Sequence, residues 1–475
     1  MRSTTIFALA AGIISLPAEA RNIPSVLGKP KVVSMSTQRK PISNPVNRDR
    51  LRRRGTIQAD LDNEETLYFV NGTVGTPGQS VRMHLDTGSS DLWLNTASSN
   101  LCSQKSDPCS FAGTYTANDS STYEYVGSWF NISYVDGSGA SGDYVSDTIT
   151  IDGSTIDRLQ FGIGYESSSG QGILGIGYPV NEVQVGRAQM DSYENLPMKM
   201  VSSGQIATNA YSLWLNDLDA NEGSILFGGV DTAKYTGSLQ TLPIQADNGV
   251  HSEFLITLTS VQLGDTAIAT DEALAVLLDS GSSLTYLPDT MVESIYEQLN
   301  AQYDSSEGAA YVPCSLAANT TTLDFTFSSP NISIEMNELV LDLVTTSGRR
   351  PTFPDGVTAC LFGISPAGSG TSVLGDTFLR SAYVVYDIDN NEISLAQTNF
   401  NSTESNVQEI GTGSTIPDAT AVTNAVSATE GVATSSGNGE AELGETKSSA
   451  TTMVTSVSAL SLLVSFGFAT FVTMT

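Results

Sequence analysis

The sequence predicts a mostly β protein built from two similar lobes with a cleft between them. Three observations carry that expectation. One eleven-residue motif occurs twice, each copy is followed at a similar distance by a hydrophobic-hydrophobic-Gly segment, and short apolar or alternating runs punctuated by Gly, Asn, Asp and Ser dominate the chain around them. An apolar fraction of 40% supplies a full core and excludes wholesale disorder.

The repeat comes first. Met83-His84-Leu85-Asp86-Thr87-Gly88-Ser89-Ser90-Asp91-Leu92-Trp93 returns as Val276-Leu277-Leu278-Asp279-Ser280-Gly281-Ser282-Ser283-Leu284-Thr285-Tyr286, with the two Asp 193 residues apart. Asp-Thr/Ser-Gly alone recurs by chance. The apolar run before each Asp and the second mark make the match specific. That mark is Ile173-Leu174-Gly175 in the first half and Val373-Leu374-Gly375 in the second, its Leu 88 and 95 residues beyond the respective Asp. Two marks recurring in order describe a duplicated unit.

The β texture comes next. Residues 66–74, 129–134, 224–227, 254–263 and 383–388 run apolar or alternate, as strands do. Helical patterns are few. The best is 289–302, with Met291, Ile295 and Leu299 at four-residue spacing and Asp289 placed as its N-cap. Two mostly β lobes are therefore expected at 55–235 and 236–400.

Charge and composition set the ends apart. The formal net charge of −30 argues against nucleic acid as a partner, because phosphate binding needs a basic face. Yet residues 21–54 hold ten Lys/Arg against Asp49 alone, a net of +9, while the chain after 54 holds 10 basic and 49 acidic residues, a net of −39. Residues 1–20 read as a secretory signal peptide: Arg2, an apolar run at 6–16 too short to span a bilayer, and Ala18-Glu19-Ala20. Residues 21–54 read as a basic propeptide without hydrophobic periodicity, ending in Arg52-Arg53-Arg54; the alternative is a disordered basic tail. This segment is expected to dock on the acidic cleft until cleavage after Arg54.

Residues 401–452 are rich in Ser, Thr, Ala, Gly and Asn without an aromatic residue, and read as a solvated stalk. Residues 453–475 are apolar and uncharged. With Ser436-Gly437-Asn438-Gly439 a polar spacer upstream, they have the layout of a glycosylphosphatidylinositol (GPI) signal attaching at Gly437 or Asn438; a retained terminal helix is the alternative. The expected location is the secretory route to the outer face of the cell membrane or wall. Sequons beginning at Asn71, Asn118, Asn131, Asn319, Asn331 and Asn401 are candidate N-glycan sites on that route.

The cysteines are Cys102, Cys109, Cys314 and Cys360, which allow three pairings. An extracellular route favours disulfides, and Cys102–Cys109 with Cys314–Cys360 is the simplest set. His84 and His251 are the only histidines and no Cys-x-x-Cys exists, so neither a metal nor a cofactor is expected. His84 reads as an ordinary strand side chain.

An Asp placed where an apolar strand enters a Thr/Ser-Gly turn can be held by loop N–H groups and hydroxyls, and Gly88 and Gly281 permit close backbone approach. Two such loops brought together set two carboxylates side by side. Such a pair shares one proton over an acidic window, so one oxygen can act as base on a water while the partner donates to a carbonyl. No convincing Ser-His-Asp set, reactive-Cys context or His-Glu-x-x-His motif competes with this reading. A glycosidase also uses two carboxylates, but needs no second copy of one loop.

On these residues the chain resembles pepsin-type aspartic proteases over about 66–400, and among them the fungal GPI-anchored yapsin group. The resemblance makes Asp86 and Asp279 the catalytic pair. Thr87 and Ser280 would lock the two loops, and Ser89 and Ser282 would bond the outer carboxylate oxygens. The paired hydrophobic-hydrophobic-Gly segments would pack beneath, and Leu379-Arg380-Ser381 with Val384-Val385-Tyr386-Asp387 continues the pattern. A substrate-covering flap would lie at Ile132-Ser133-Tyr134-Val135-Asp136-Gly137-Ser138-Gly139, with Tyr134, Gly137 and Ser138 at its tip and Trp93 beside Tyr134, although Tyr134-Val135 stands where the family usually has Tyr-Gly. It also implies a monomeric endopeptidase acting on proteins or peptides, made as a zymogen and favouring Lys/Arg sites. Two other classes are a non-catalytic binding protein on the same fold and a wall glycoprotein. Every motif residue is intact against the first, and the Ser/Thr-rich end leaves the repeat unexplained in the second.

Overall fold

Alternation and apolar runs decide where the strands lie. The computed structural model describes residues 31–42, 65–134, 137–220, 222–343, 349–413 and 415–432, all within the unit Lys31–Thr475. β1 (Val33–Ile42), β2 (Glu65–Val74) and β3 (Gln79–Asp86) are antiparallel neighbours, with Thr37 opposite Val70 and Val70 opposite Met83. Val81, Met83 and Leu85 on β3 are buried, and so are His84 and Asp86 at its covered end. β4 (Leu92–Asn95), β5 (Glu124–Ser133), β6 (Gly139–Ile151), β7 (Ser154–Ser167) and β8 (Gly172–Gly175) complete the first half.

The wiring around the first motif recurs around the second. β3 runs parallel to β8, pairing Asp86 with Gly175, and β4 crosses β8 antiparallel at Trp93 and Ile173 while running parallel to β7. In the second half Leu274–Leu278 runs parallel to Ser372–Leu374. Thr285–Leu287 meets Ser372–Leu374 antiparallel at Tyr286 and Val373, and runs parallel to Ile364–Pro366. Leu274–Leu278 reads as one unbroken apolar run because all five residues are buried, the pattern of a strand covered on both faces.

The halves share a sheet. β9 (Ala210–Trp214) lies between β10 (Glu222–Phe227) and the late strand Ala382–Asp387, so strands from both ends of the chain are hydrogen-bonded to it. β11 (Gly229–Asp231) and β12 (Tyr235–Pro243) follow, then β13 (Leu255–Leu258), which pairs with Leu274–Leu278. Tyr386 stacks on Tyr211 at 4.9 Å and meets Phe254 edge-on at 4.7 Å, joining three segments in one aromatic knot. Arg380 and Glu338 form an ion pair with both side chains fully buried. Cys102–Cys109 and Cys314–Cys360 are the two disulfides, closing spans of 7 and 46 residues. Chain-entropy arguments give such loops on the order of 2 to 4 kcal/mol each.

Three expectations from sequence change. Asp289 is not the N-cap of its helix. Pro288 takes that place, Asp289 is the first helical residue and accepts a hydrogen bond from Gly368 N–H, and the helix stops at Leu299 because Asn300 turns left-handed. Residues 33–42, read as aperiodic, form β1 in the middle of the shared sheet between β2 and β10, with Met35 and Thr37 buried. The apolar alternation was diluted because Ser and Thr fill positions where backbone pairing on both edges does most of the work. The described part of the basic segment thus joins the sheet, and Arg52-Arg53-Arg54 lie outside the described residues.

Residues 401–432 are not a stalk. Val407–Glu409 pairs with β11, Ala419–Ala421 runs parallel to β12, and Ala273 C=O accepts N–H bonds from Thr429 and Glu430. Ile410 and Ile416 are buried among Trp214, Val230, Tyr235, Leu239 and Tyr383, and the Asp231 carboxylate takes hydrogen bonds from Ser405 Oγ and Asn406 N–H. Two isoleucines and unpaired strand edges suffice to fix a segment whose composition alone reads as solvated. The signal peptide, the 453–475 tail and Gly437 and Asn438 lie outside the described residues.

Candidate active site

Asp86 is the last residue of β3 and Asp279 follows directly on Leu274–Leu278, and each is caught by the turn after it. Gly88 N–H donates to Asp86 Oδ1 at 2.9 Å and Ser89 Oγ–H to Oδ2 at 2.6 Å. In the second copy Gly281 N–H donates to Asp279 Oδ1 at 2.7 Å and Ser282 Oγ–H to Oδ2 at 2.7 Å. Donors on both oxygens fix the carboxylate plane. Asp86 is 2% exposed and Asp279 7%.

The two loops are stitched across their pseudo-twofold. Thr87 Oγ1 donates to Leu278 C=O at 3.0 Å and accepts from Ser280 N–H at 2.9 Å. Ser280 Oγ donates to Leu85 C=O at 3.1 Å and accepts from Thr87 N–H at 3.2 Å. The glycines show how near the carboxylates come. A methyl group on Gly88 would lie 2.5 Å from Asp279 Oδ1, and one on Gly281 would come closer still to Asp86 Oδ1 and within 2.9 Å of Asp279 Oδ1. Each carboxylate therefore rests on the glycine of the opposite loop, and both face one point. Beneath, Gly175 leaves room for the N–H groups of Ser90 and Asp91, either of which would stand 2.7 Å from a methyl group there.

The family model of the eukaryotic aspartyl proteases matches residues 67–398. The chain belongs to that family. This protease is 57% identical to the "Probable aspartic-type endopeptidase opsB" of Aspergillus fumigatus, over 91% of this chain and 89% of the relative. It is 39% identical to Candidapepsin-3 of Candida albicans over 75% and 85% of the two chains. The crystal structure of an aspartic proteinase from Irpex lacteus superposes with a TM-score of 0.58 at 24% identity, covering 79% of this chain and all of that one, which speaks for the fold. The resemblance to pepsin-type proteases and the bilobal β fold are thereby borne out.

In this protease the β5–β6 hairpin carries the segment expected to form a flap. Tyr134 N–H donates to Ser138 C=O at 2.8 Å, Gly137 N–H returns to Tyr134 C=O, and Gly137 takes a positive φ of 74°. Residues 135 and 136, where the family's usual glycine is replaced, lie outside the described residues. Trp93 is fully buried, and its Nε1–H donates to Tyr134 OH at 2.8 Å. His84 packs its ring 5.8 Å from Phe69, in keeping with a strand side chain. All six sequon asparagines are exposed.

Sequence reasoning passed over a buried polar cluster behind Trp93. Asp91 Oδ1 accepts from Tyr144 OH at 2.6 Å and Tyr193 OH at 3.0 Å, and Oδ2 accepts from Val183 N–H at 2.8 Å. Glu182 Oε2 accepts from Tyr193 N–H. Burial pushes the Asp91 carboxyl above its usual range against these donors. It pushes Glu182 up to about 9, opposed by the Tyr193 N–H and reinforced by Asp91. One signal was available: the matching position of the second motif is Leu284, buried as Asp91 is, so the repeat itself marks the acid as out of place.

Proposed function

We propose that Asp86 and Asp279 are the catalytic pair of this aspartic protease and hydrolyse peptide bonds through one shared proton. The observation that carries the reading is the crossed-loop geometry, in which each carboxylate lies against the glycine of the other motif. Like charges so close resist double ionisation, so one acid keeps its proton. The ionised oxygen takes a proton from a water lying between the two, and that water attacks the substrate carbonyl. The protonated partner hydrogen-bonds to the carbonyl oxygen. Reversal of the roles protonates the leaving amine, with no covalent intermediate. Ser89 and Ser282 hold the outer oxygens, and the Trp93–Tyr134 pair braces the flap that excludes bulk water. The test is hydrolysis of a denatured protein at acidic pH. Pepstatin-sensitive activity that vanishes in Asp279→Asn is expected; unchanged activity in that variant overturns the assignment.

The same reading extends to how the enzyme is made and where it works. A +9 segment ahead of a −39 body supports synthesis as a zymogen cut after Arg54, with β1 as the inserted part of the segment. Normal maturation of an Arg53→Ala/Arg54→Ala variant argues against it. The acidic body steers basic peptides towards the cleft, which supports a preference for Lys/Arg sites; a peptide-library cleavage profile without basic enrichment removes that claim. Six exposed sequons and the 436–475 sequence support a glycosylated, GPI-anchored monomer on the outer cell surface. Retention at the surface after phosphatidylinositol-specific phospholipase treatment contradicts the anchor.

A further inference from the structure

We propose that Asp91 is a positioning residue of this protease, tying the root of the flap hairpin and the wall at 183–193 to the first catalytic loop. The proposal rests on the reading of Tyr134 as the flap residue and deepens it.

Asp91 lies five residues past Asp86 in the chain and two before Trp93. Its side chain is 1% exposed, yet it faces three hydrogen-bond donors from three separate segments. Tyr144 belongs to β6, the returning strand of the flap. Val183 opens the short helix Val183–Ala188, and Tyr193 lies in the segment that follows it. The backbone of Asp91 adds a fourth tie, because its carbonyl accepts from Gly175 N–H in the hydrophobic-hydrophobic-Gly mark. The carboxylate thus gathers the flap strand and the segment at 183–193, while the backbone of the same residue holds the floor of the catalytic loop.

The route from Asp91 to the flap tip is continuous. The Tyr144 ring meets Phe130 of β5 edge-on at 5.2 Å and Tyr193 at 5.8 Å. Phe130 lies 6.5 Å from the Trp93 ring, and Trp93 donates to Tyr134 OH. These residues form a hydrophobic cluster separate from the main core, closed by Ile132, Ala140, Ile173 and Val183. A buried carboxylate is costly unless its donors repay the lost hydration.

The second half shows that the loop can do without this acid. Leu284 occupies the equivalent place, is fully buried, and adjoins the same parallel-strand arrangement. Residue 284 therefore satisfies the motif's packing with a hydrocarbon. In the first half, by contrast, a wall tyrosine and a flap tyrosine both converge on the carboxylate at this position. That difference assigns Asp91 to the flap rather than to the motif.

The test is a double-mutant cycle on kcat/KM for one peptide substrate, using Asp91→Ala and Tyr134→Phe, with thermal melting recorded alongside. Asp91→Ala is expected to lower kcat/KM about tenfold or more, and to lower it by less than about threefold when Tyr134 is already Phe, because coupled residues are non-additive. Equal losses in both backgrounds, the result of a merely structural role, overturn the proposal, as does full activity of Asp91→Ala. If Asp91→Ala does not fold, Asp91→Asn carries the same cycle: its carbonyl can still accept from Val183 N–H while its amide faces the tyrosine hydroxyls. Inactivity of the unsubstituted enzyme in this assay would refute the protease reading itself. An active enzyme with additive losses refutes the role of Asp91 alone.

Discussion

Thr87 and Ser280 close each other's loops. Each hydroxyl donates to the carbonyl before the opposite Asp and accepts the backbone N–H of its counterpart, making four hydrogen bonds between residues 193 positions apart in sequence or nearly so. Removing either hydroxyl leaves a buried carbonyl and a buried N–H without a partner, at about 1–3 kcal/mol for each group. Thr87→Val and Ser280→Ala should each lower unfolding stability by about 2–4 kcal/mol, and together by less than the sum, measured by denaturant titration. Thr87→Ser should keep most of the stability, since Ser280 already performs the role.

The glycines should tolerate nothing larger. A methyl group at Gly88 or Gly281 would enter the opposite carboxylate. Gly281→Ala is expected to cut kcat by about a hundredfold or more, the scale associated with displacing a reacting group by about 1 Å. Intact circular dichroism with lost turnover would be the signature. Turnover within threefold of the parent would contradict the stated geometry.

Stability should fall as pH rises. Burial pushes the Glu182 carboxyl up from its usual 4.5 to about 9 in the folded chain. A raised carboxyl contributes stability that is fully present below about 4.5 and is lost progressively as pH climbs through 9. Burial moves Asp91, Asp387 and Glu392 in the same direction. Melting temperature should therefore drop between pH 5 and pH 9, and Glu182→Gln should flatten that slope because it removes the titrating carboxyl while its carbonyl still accepts from Tyr193 N–H. A slope unchanged by Glu182→Gln would show that this carboxyl is not a source.

Glu338→Ala should be among the most damaging single changes away from the two Asp loops. It strands the fully buried Arg380 guanidinium, which also donates to Glu338 C=O. Breaking a buried pair from one side costs about 3–5 kcal/mol. Equilibrium unfolding measures it directly, and a loss below 1 kcal/mol would mean that the charge finds another partner.

The candidate site was legible because duplication writes itself twice. Asp86 and Asp279 with their glycines and serines follow from one repeated string, Leu174 and Leu374 from the second mark that recurs after it, and the disulfide set from spacing. What escaped notice is held by non-local pairing. β1 was hidden because its interior side chains include a threonine and its stability comes from two neighbouring strands far along the chain. Asp91 was hidden by its own motif, which drew attention to the residues before it. Glu338 and Arg380 are 42 residues apart, and nothing local indicates that their charges meet.

The strap at 401–432 has a consequence for how the protein behaves in solution. Its two short strands cover β11 and β12, and its last described turns lie along the start of the Leu274–Leu278 strand. A chain ended at Phe400 would present those edges bare, together with the apolar hollow left by Ile410 and Ile416. Open strand edges recruit other chains. The shortened protein should self-associate and precipitate at concentrations where the chain through residue 432 stays dispersed, the outcome expected if a segment with the composition of a spacer guards the molecule against aggregation.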